Sequence, residues 1–397
     1  MRTAVVVGAG VGGLAASGAL ARSGWHVTLL ERGDRLRGGG AALLIWPNGV
    51  AALRALGVSL DDVAFPVLTG GIRRPDGRWL VEAAPVNGGP PSYPVVVHSD
   101  DLHDALMAGL GDRIEIRTGM DVTTLRAAGA RRPAVGTGKH TFEADLIVAA
   151  DGARSVIRRR LAPEATVTAA GYTAWRAVIP WFRAPRLPDS LAGEMLGAGQ
   201  RFLYASLGER GSSASNTRGG IYWAATAPGA PRPESAQTQL DLLRRWFADW
   251  QAPVRDLLEM TEPQDLVQRA GEELRPLPRR FGFAVESGGF VLLGDAAHAA
   301  TPDLSQGACL AFEDAVTLRS VVGDPASVAP LGPALDTYTQ IRRARVARVA
   351  KASRRLGQVL QARGRFTVRA RDAALGRLPH HLLERATASA HHWSPPL

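Results

Sequence analysis

The sequence of 397 residues holds a single cysteine, Cys309. No internal disulfide can form, so the fold needs no oxidising compartment, and a cluster of thiolate metal ligands is excluded. Lysine is nearly as scarce. Lys139 and Lys351 are the only two, so the formal charge of +10 rests on arginines spread along the whole length. A charge of that sign invites a nucleic-acid partner, but no basic cluster or recognisable binding module gathers it, and the expectation is no nucleic acid. Long uncharged apolar runs are missing as well. The stretch from Ala4 to Leu20 is interrupted by Gly8, Gly10, Gly12, Gly13 and Gly18 and has only Arg2 ahead of it, which suits neither a secretion signal nor a membrane span. A cytoplasmic monomer or homodimer without a membrane partner or a metal is expected.

What is present is a globular composition, 46% hydrophobic and 21% charged, in a chain longer than the roughly 250–300 residues that one core usually serves. Thr3 to Val7 reads as a strand buried on both faces, Gly12 to Ser23 as an Ala-rich helix and His26 to Leu30 as a second strand, which completes a βαβ unit. Asp145 to Ala150 and Phe290 to Leu293 read as further strands of the same sheet. Gly171 to Trp181, Arg201 to Leu207 and Gly220 to Ala225 alternate apolar with polar residues instead, the pattern of an antiparallel sheet. Ile72 to Ala83, centred on Asp76-Gly77, reads as a hairpin able to join that sheet. Asn87 to Pro94 and Ala227 to Glu234 read as connections, and residues from Leu335 onward as a helical tail. The fold class is therefore α/β, a Rossmann-like domain with an inserted antiparallel-sheet domain. The expected boundaries are 1–70, 96–165 and 285–334 for the first, 71–95 and 166–284 for the second, and 335–397 for C-terminal helices.

Gly8-Ala9-Gly10-Val11-Gly12-Gly13 satisfies G-x-G-x-x-G between a strand and a helix. Gly8 allows the tight turn, Gly10 lets backbone approach a pyrophosphate, Gly13 permits close packing of helix on strand, and the helix N-terminus offers unpaired N–H groups. Glu31, at the end of the second strand, is placed to accept from a ribose hydroxyl. The motif defines a dinucleotide site and leaves FAD and a nicotinamide both open.

Two later strand ends carry an aspartate beside a glycine, Val148-Ala149-Ala150-Asp151-Gly152-Ala153-Arg154-Ser155 and Leu292-Leu293-Gly294-Asp295-Ala296-Ala297-His298. The ordered set GAGVGG, AADGARS and GDAAHAATPDLSQGA resembles the flavoprotein aromatic hydroxylases, the family of p-hydroxybenzoate and salicylate hydroxylases and of zeaxanthin epoxidase. Leu36 to Gly57 and Gly171 to Pro180 are also similar to the family's segments, so the resemblance covers nearly the whole chain. It implies FAD as cofactor, with NAD(P)H as co-substrate. It also implies cofactor contacts at Arg32, Arg37, Val122, Asp151, Gly294, Asp295, Pro302, Ser305, Gln306, Gly307 and Ala308, beside Gly8, Gly10, Val11, Gly12, Gly13 and Glu31. The implied activity is hydroxylation or epoxidation of an electron-rich aromatic, heteroaromatic or alkene small molecule, with O2 consumed through a flavin C4a-hydroperoxide.

Because the cofactor carries the difficult chemistry, the protein's task is to hold the substrate and exclude water. Trp175, Arg201, Tyr204 and Tyr222 are the substrate candidates. Arg201 is expected to orient an anionic or enolate-like group, and Arg201, Tyr222 and Pro302 are taken as the residues nearest the chemistry. Two positions depart from the family pattern. Ser99 stands where an arginine supports FAD, and Ser305 where TP-x-x-G-x-G has a glycine. The first keeps a second reading open, a flavin-binding or flavin-depleted scaffold that templates a non-redox cyclisation or acts as a sensor.

Overall fold

The computed structural model describes all residues except 1, 37, 68–70, 83–92, 128–130, 188–191, 209–217, 232, 325, 327–328, 378–389 and 397. In chain order the first elements are β1 Thr3–Val7, α1 Val11–Arg22, β2 His26–Leu30, β3 Ala42–Ile45, α2 Pro47–Ala55, β4 Ala64–Pro66, β5 Ile72–Arg73, β6 Trp79–Val81, β7 Val95–His98 and α3 Ser99–Ala108. Next come β8 Ile114–Arg117, β9 Thr124–Arg126, β10 Ala134–Thr137, β11 His140–Glu143, β12 Leu146–Ala149, α4 Val156–Leu161, β13 Val167–Pro180, β14 Ala192–Leu196, β15 Arg201–Ser206 and β16 Gly220–Pro228. The chain continues through α5 Ala236–Trp246, α6 Val254–Met260, β17 Val267–Leu274, β18 Gly282–Val285, β19 Gly288–Leu292, α7 Asp295–His298, α8 Gly307–Val322, α9 Gly332–Leu360 and α10 Arg365–Leu375.

Six strands form one sheet in the order β18-β19-β12-β1-β2-β8, parallel except for the β18–β19 hairpin at one edge. Alternation of buried with exposed residues is absent from its centre: all four residues of β12 are buried, as are the last four of β1, because helices and a second layer cover both faces. Helix α1 lies so close to α8 that a methyl on Gly12 would meet Ala311 Cβ at 3.2 Å.

A second sheet runs β17-β13-β16-β15-β14-β5-β6. The hairpin around Asp76-Gly77 does join it, through parallel pairing of β5 with β14, with Gly77 at φ +82°. Its expected last residue, Ala83, and residues 87–92 of the expected connection lie outside the described residues. Strand β16 runs on to Pro228, past the expected boundary, because the cross-strand partners Thr173 and Tyr172 continue opposite Ala227 and Pro228.

Alternation gives this sheet two faces with different partners. Its back packs Trp175, Ala177, Phe202, Tyr204 and Trp223 against Leu240, Leu243 and Phe247 and the residues of α6. Its front packs Ala192, Ala205, Leu207 and Tyr222 against Ala42 and Val96 of the three-stranded β3-β7-β4 sheet. Helices α5 and α6, absent from the alternation-based reading, are what bury the back.

Candidate functional site

The glycine cradle closes on itself through backbone. Gly8 sits at φ +102°, its N–H donates to Leu30 O at 2.8 Å, and a side chain there would run into Ala150 O. A Cβ on Gly13 would sit far inside the contact distance of Gly8 O, whereas one on Gly10 would meet nothing within 4 Å. The loop is thus packed on its inner side and open on its outer side, where α1 begins without a side-chain cap and its first N–H groups stay available. Glu31 braces this loop: Oε2 accepts from Ala9 N at 2.9 Å and Oε1 from Gly33 N at 2.9 Å. Arg32 beside it is exposed, Val122 is buried in the core, and Arg37 lies outside the described residues.

At the end of β19, Gly294 takes φ +60° and turns the chain into α7. Asp295 is enclosed by protein mass yet its side chain is open, as expected at the floor of a cleft, and its carboxyl makes no hydrogen bond among the described residues. Burial pushes that carboxyl up, opposed by the charges of His298, Arg176 and Arg269. Beyond it, Pro302 opens a 3-10 turn whose carbonyl accepts from Ser305 N at 2.9 Å. Helix α8 then starts at Gly307, which is exposed, and Ala308, half-buried, with no side-chain cap. Its N-terminus therefore presents free donors and positive potential to the cleft.

A fully buried ionic network fixes that helix from behind. Arg342 Nε donates to Asp314 Oδ1 at 2.6 Å and its Nη1 to Glu313 Oε2 at 2.7 Å, Arg345 Nη2 donates to Glu313 Oε1 at 2.9 Å, and His298 Nε2 meets Asp314 Oδ2 at 2.6 Å. Gly294 N donates to Asp314 Oδ2 at 2.9 Å, which ties the aspartate-bearing loop to the same pair. Gln306 and Asn48 extend the network toward α2, Asn48 Nδ2 donating to Gln306 Oε1 at 2.8 Å and to Glu313 Oε1 at 2.7 Å. Burial pushes the Cys309 thiol up to about 12.

Ser305 is the single non-glycine residue at positive φ among the described residues, at φ 50° and ψ 36°. Its hydroxyl has no hydrogen-bond partner among them. Left-handed backbone costs a residue with a Cβ about 1 kcal/mol or more. Ser305→Gly should therefore stabilise the flavin-free protein by about 1 kcal/mol, read as a higher urea midpoint; an unchanged midpoint would show the loop to be unstrained.

The front of the large sheet faces this cleft. Across β13, β16 and β15 the register sets Ala174 beside Thr226 and Arg201, then Arg176 beside Ala224 and Leu203, then Val178 beside Tyr222 and Ala205. Arg176, Arg201 and Tyr222 thus share one face of the sheet. Arg201 is already committed: its Nε lies 2.5 Å from Glu194 Oε1 and its Nη1 3.8 Å from Asp303 Oδ1 in the 3-10 turn. Tyr172 OH donates to Asp303 Oδ2 at 3.3 Å, and burial followed by the Asp303 charge holds that phenol protonated, above its ordinary range.

Two substrate candidates are corrected by the pleat. Trp175 and Tyr204 occupy the back face, Trp175 Nε1 donating to Gln239 Oε1 of α5 at 3.0 Å and Tyr204 packing in the cluster with Phe247. The period of two sends neighbours on a strand to opposite faces, so placing Trp175 against helices puts Arg176 in the cleft. Arg201 and Tyr222 do share the front. Asp151 is spent on its own turn, Oδ2 accepting from Val156 N at 2.8 Å while Oδ1 is buried without a partner among the described residues, and burial pushes its carboxyl up. Ser99 bridges backbone, its Oγ accepting from Ala41 N at 3.1 Å and its N donating to Ala41 O at 2.8 Å. The residues that motif reading passes over are Glu194, Asp303, Tyr172, Thr226 and Arg176. Only Arg176 carried a usable signal, its alternation with Trp175.

The open outer side of Gly10, the uncapped starts of α1 and α8 and the unpaired Asp295 fit a flavin dinucleotide lying between the two helix ends. They define the nucleotide side of a flavoprotein whose second wall is a sheet. Residues 1–353 match the model of the family described as FAD binding domain, and the chain belongs to that family. It is 32% identical over 388 residues to the aurachin C monooxygenase/isomerase of Stigmatella aurantiaca, covering 93% of this chain and 92% of that protein. It is 30% identical over 387 residues to the 2-heptyl-3-hydroxy-4(1H)-quinolone synthase of Pseudomonas aeruginosa, covering 95% and 94%. Among solved structures, HpxO of Klebsiella pneumoniae complexed with FAD and uric acid superposes with a TM-score of 0.81 at 25% identity, over 98% of this chain and 96% of that one. The protein is a flavoprotein monooxygenase and FAD is its cofactor. Among the described residues no helix is long and apolar enough to cross a membrane.

Proposed function

We propose that this enzyme uses NAD(P)H and O2 to hydroxylate a planar, electron-rich heteroaromatic molecule in secondary metabolism. The observation that carries this reading is the contact of the large sheet's front face with the turn that leads into α8, Arg201 lying 3.8 Å from Asp303 and Tyr172 donating to it, beside the uncapped α8 N-terminus. A relative named for a 3-hydroxy-4(1H)-quinolone and relatives named for urate hydroxylation support a nitrogen heteroaromatic, beside others named for hydroxybenzoates. When bound, FAD supplies the redox and oxygen chemistry.

The residues of this chain bind, orient and enclose. Gly8 to Gly13 and the start of α1 would hold the pyrophosphate, Glu31 a ribose hydroxyl and Asp295 a ribityl hydroxyl, with the free N–H groups of α8 over the ring's polar edge. Arg201 would couple the substrate wall to the turn starting at Pro302 through Asp303, and Tyr222 would border the ring. In this reading residues 1–70, 96–165 and 285–334 form the FAD unit, and 71–95 with 166–284 the substrate unit. The flavin-depleted alternative rested on Ser99; no observation favours it.

The test is the visible spectrum of protein purified without added cofactor, followed by anaerobic addition of NADPH or NADH. Flavin bands that bleach are expected. A colourless protein that cannot be reconstituted with FAD would overturn the proposal.

A further inference from the structure

Arginines are spread along this chain, but the acids that balance them are not. Residues 343–377 hold eleven lysines and arginines and one acid, Asp372, an excess equal to the formal charge of the whole chain, +10. Helix α9 sorts its cations by face. Turned inward, Arg342 and Arg345 are held by Glu313 and Asp314, and Arg354 Nη2 lies 2.7 Å from Glu273 Oε2. Turned outward, Arg348, Lys351 and Arg355 are exposed and make no ion pair or side-chain hydrogen bond among the described residues.

Ile341, Ala344, Arg348, Lys351, Arg355 and Val359 are all exposed and recur every three or four residues, so they form one stripe, about 27 Å long at 1.5 Å per residue. Both ends of it are apolar, Ile341 being 39% and Val359 46% exposed. Helix α10 begins five residues after α9 ends, with Arg365, Phe366 and Arg369 exposed. Phe366, at 86%, is the most exposed large apolar side chain among the described residues. Like charges three and four residues apart work against a helix, and a face that meets only water usually carries both signs interspersed. No acid stands in this stripe.

A second copy of the chain does not fit it, since a two-fold contact would set cation against cation. A nucleic acid would neutralise the cations but offers nothing to the aliphatic ends, Ile341 and Val359. A bilayer rich in anionic lipid satisfies both, with charge at the headgroups and an acyl boundary just beneath. We infer that the outer face of α9, with the start of α10, docks on such a bilayer, its cations at the headgroups and Phe366 at the acyl boundary. Docking of this kind needs no spanning segment, so the absence among the described residues of a long apolar helix excludes only a helical span. On the inner side of α9, Ser353 Oγ donates to Thr301 O at 2.8 Å. The bilayer would therefore lie one helix diameter, about 10–12 Å, from the turn that leads into α8.

The experiment sediments the FAD-loaded protein with vesicles of phosphatidylcholine alone and of an equimolar mixture of phosphatidylcholine and phosphatidylglycerol. Binding to the mixed vesicles, none to phosphatidylcholine, and release in high salt are expected. Arg348→Gln/Lys351→Gln/Arg355→Gln should weaken binding about a hundredfold, at about fivefold per basic side chain near an anionic surface. Phe366→Ser should weaken it several-fold and leave the salt dependence unchanged. Arg113→Gln/Arg245→Gln/Arg255→Gln removes the same charge from exposed positions elsewhere and should bind as the wild type does. All three variants should keep the wild-type FAD content and urea midpoint. No binding to the mixed vesicles, or an α9 variant that binds like the wild type, would overturn the inference. Equal losses in the two triple variants would do so too, by reducing the effect to net charge. Phe366→Ser binding as tightly as the wild type would remove the ground for a bilayer over another polyanion. A duplex oligonucleotide bound in preference to the vesicles, and lost with the same three cations, would assign the stripe to nucleic acid instead. Vesicle binding and flavin bleaching are read separately, so failure of either leaves the other standing.

Discussion

Gly13→Ala is expected to purify with less than about a tenth of the FAD content of the wild type and to lose more than about 3 kcal/mol of stability, the upper range of overpacking against an unyielding neighbour. The methyl would point into Gly8 O, and both partners are backbone, so no rotamer change relieves the contact. Relief requires α1 to move away from β1, which carries its N-terminal N–H groups off the phosphate position. Gly10→Ala makes the matched control. A Cβ there meets nothing within 4 Å, so stability should stay within about 0.5 kcal/mol of wild type, as for substitutions clear of any contact. Yet the same methyl occupies the space through which backbone approaches a pyrophosphate, and FAD affinity should fall. The ratio of flavin to protein absorbance together with urea unfolding of each variant separates the two effects. Equal stability of both variants would show that α1 is not held by this contact.

Arg342→Met should cost about 3–5 kcal/mol at neutral pH, the usual penalty for removing one partner of a buried ion pair. The side chain is fully buried, and its loss leaves Glu313 with Arg345 and Asn48, and Asp314 with His298 and the Gly294 N–H. The pH dependence gives the sign. Burial alone would push Asp314 up, but the charges of His298 and Arg342 and the hydrogen bonds from His298 and Gly294 outweigh it and hold the carboxyl below its ordinary value. A depressed carboxylate contributes stability that is complete above the unfolded value, about 3.9, and is lost as pH falls through the folded one. Without Arg342, burial meets less opposition and Asp314 takes up its proton at higher pH. The gap between variant and wild type should therefore be widest near neutrality and narrow on acidification. Urea titrations at pH 7 and in mild acid check this, and a constant gap would remove Asp314 from the explanation.

The nucleotide half was legible because its signals are local. A glycine that must turn, a glycine that must pack and a strand buried on both faces each leave a mark on adjacent residues, and Gly8, Gly13 and β1 carry those marks. The wall opposite was legible in outline only. Alternation in GYTAWRAVIPW announces a strand, but which of its two faces meets helices depends on α5 and α6, about sixty residues away in sequence. Aromatic rings attracted the choice of Trp175 and Tyr204, whereas the face toward Asp303 carries Tyr172 and Arg201. Likewise nothing near Arg201 in sequence announces Asp303, and nothing near Glu313 announces Arg342.

The order of strands in the six-stranded sheet bears on how the chain is made. Strand β12, Leu146-Ile147-Val148-Ala149, has β1 on one side and β19 on the other, and β19 ends only at Leu292. A growing chain can pair β1, β2, β8 and β12 early, and must then present the far edge of β12 bare while more than a hundred further residues are synthesised. An unpaired apolar edge is a template for pairing with the wrong partner. At about 5–20 residues per second, the vulnerable interval lasts on the order of ten seconds. Chaperone demand during synthesis, more than the stability of the finished enzyme, would then set how much of this flavoprotein a cell can hold.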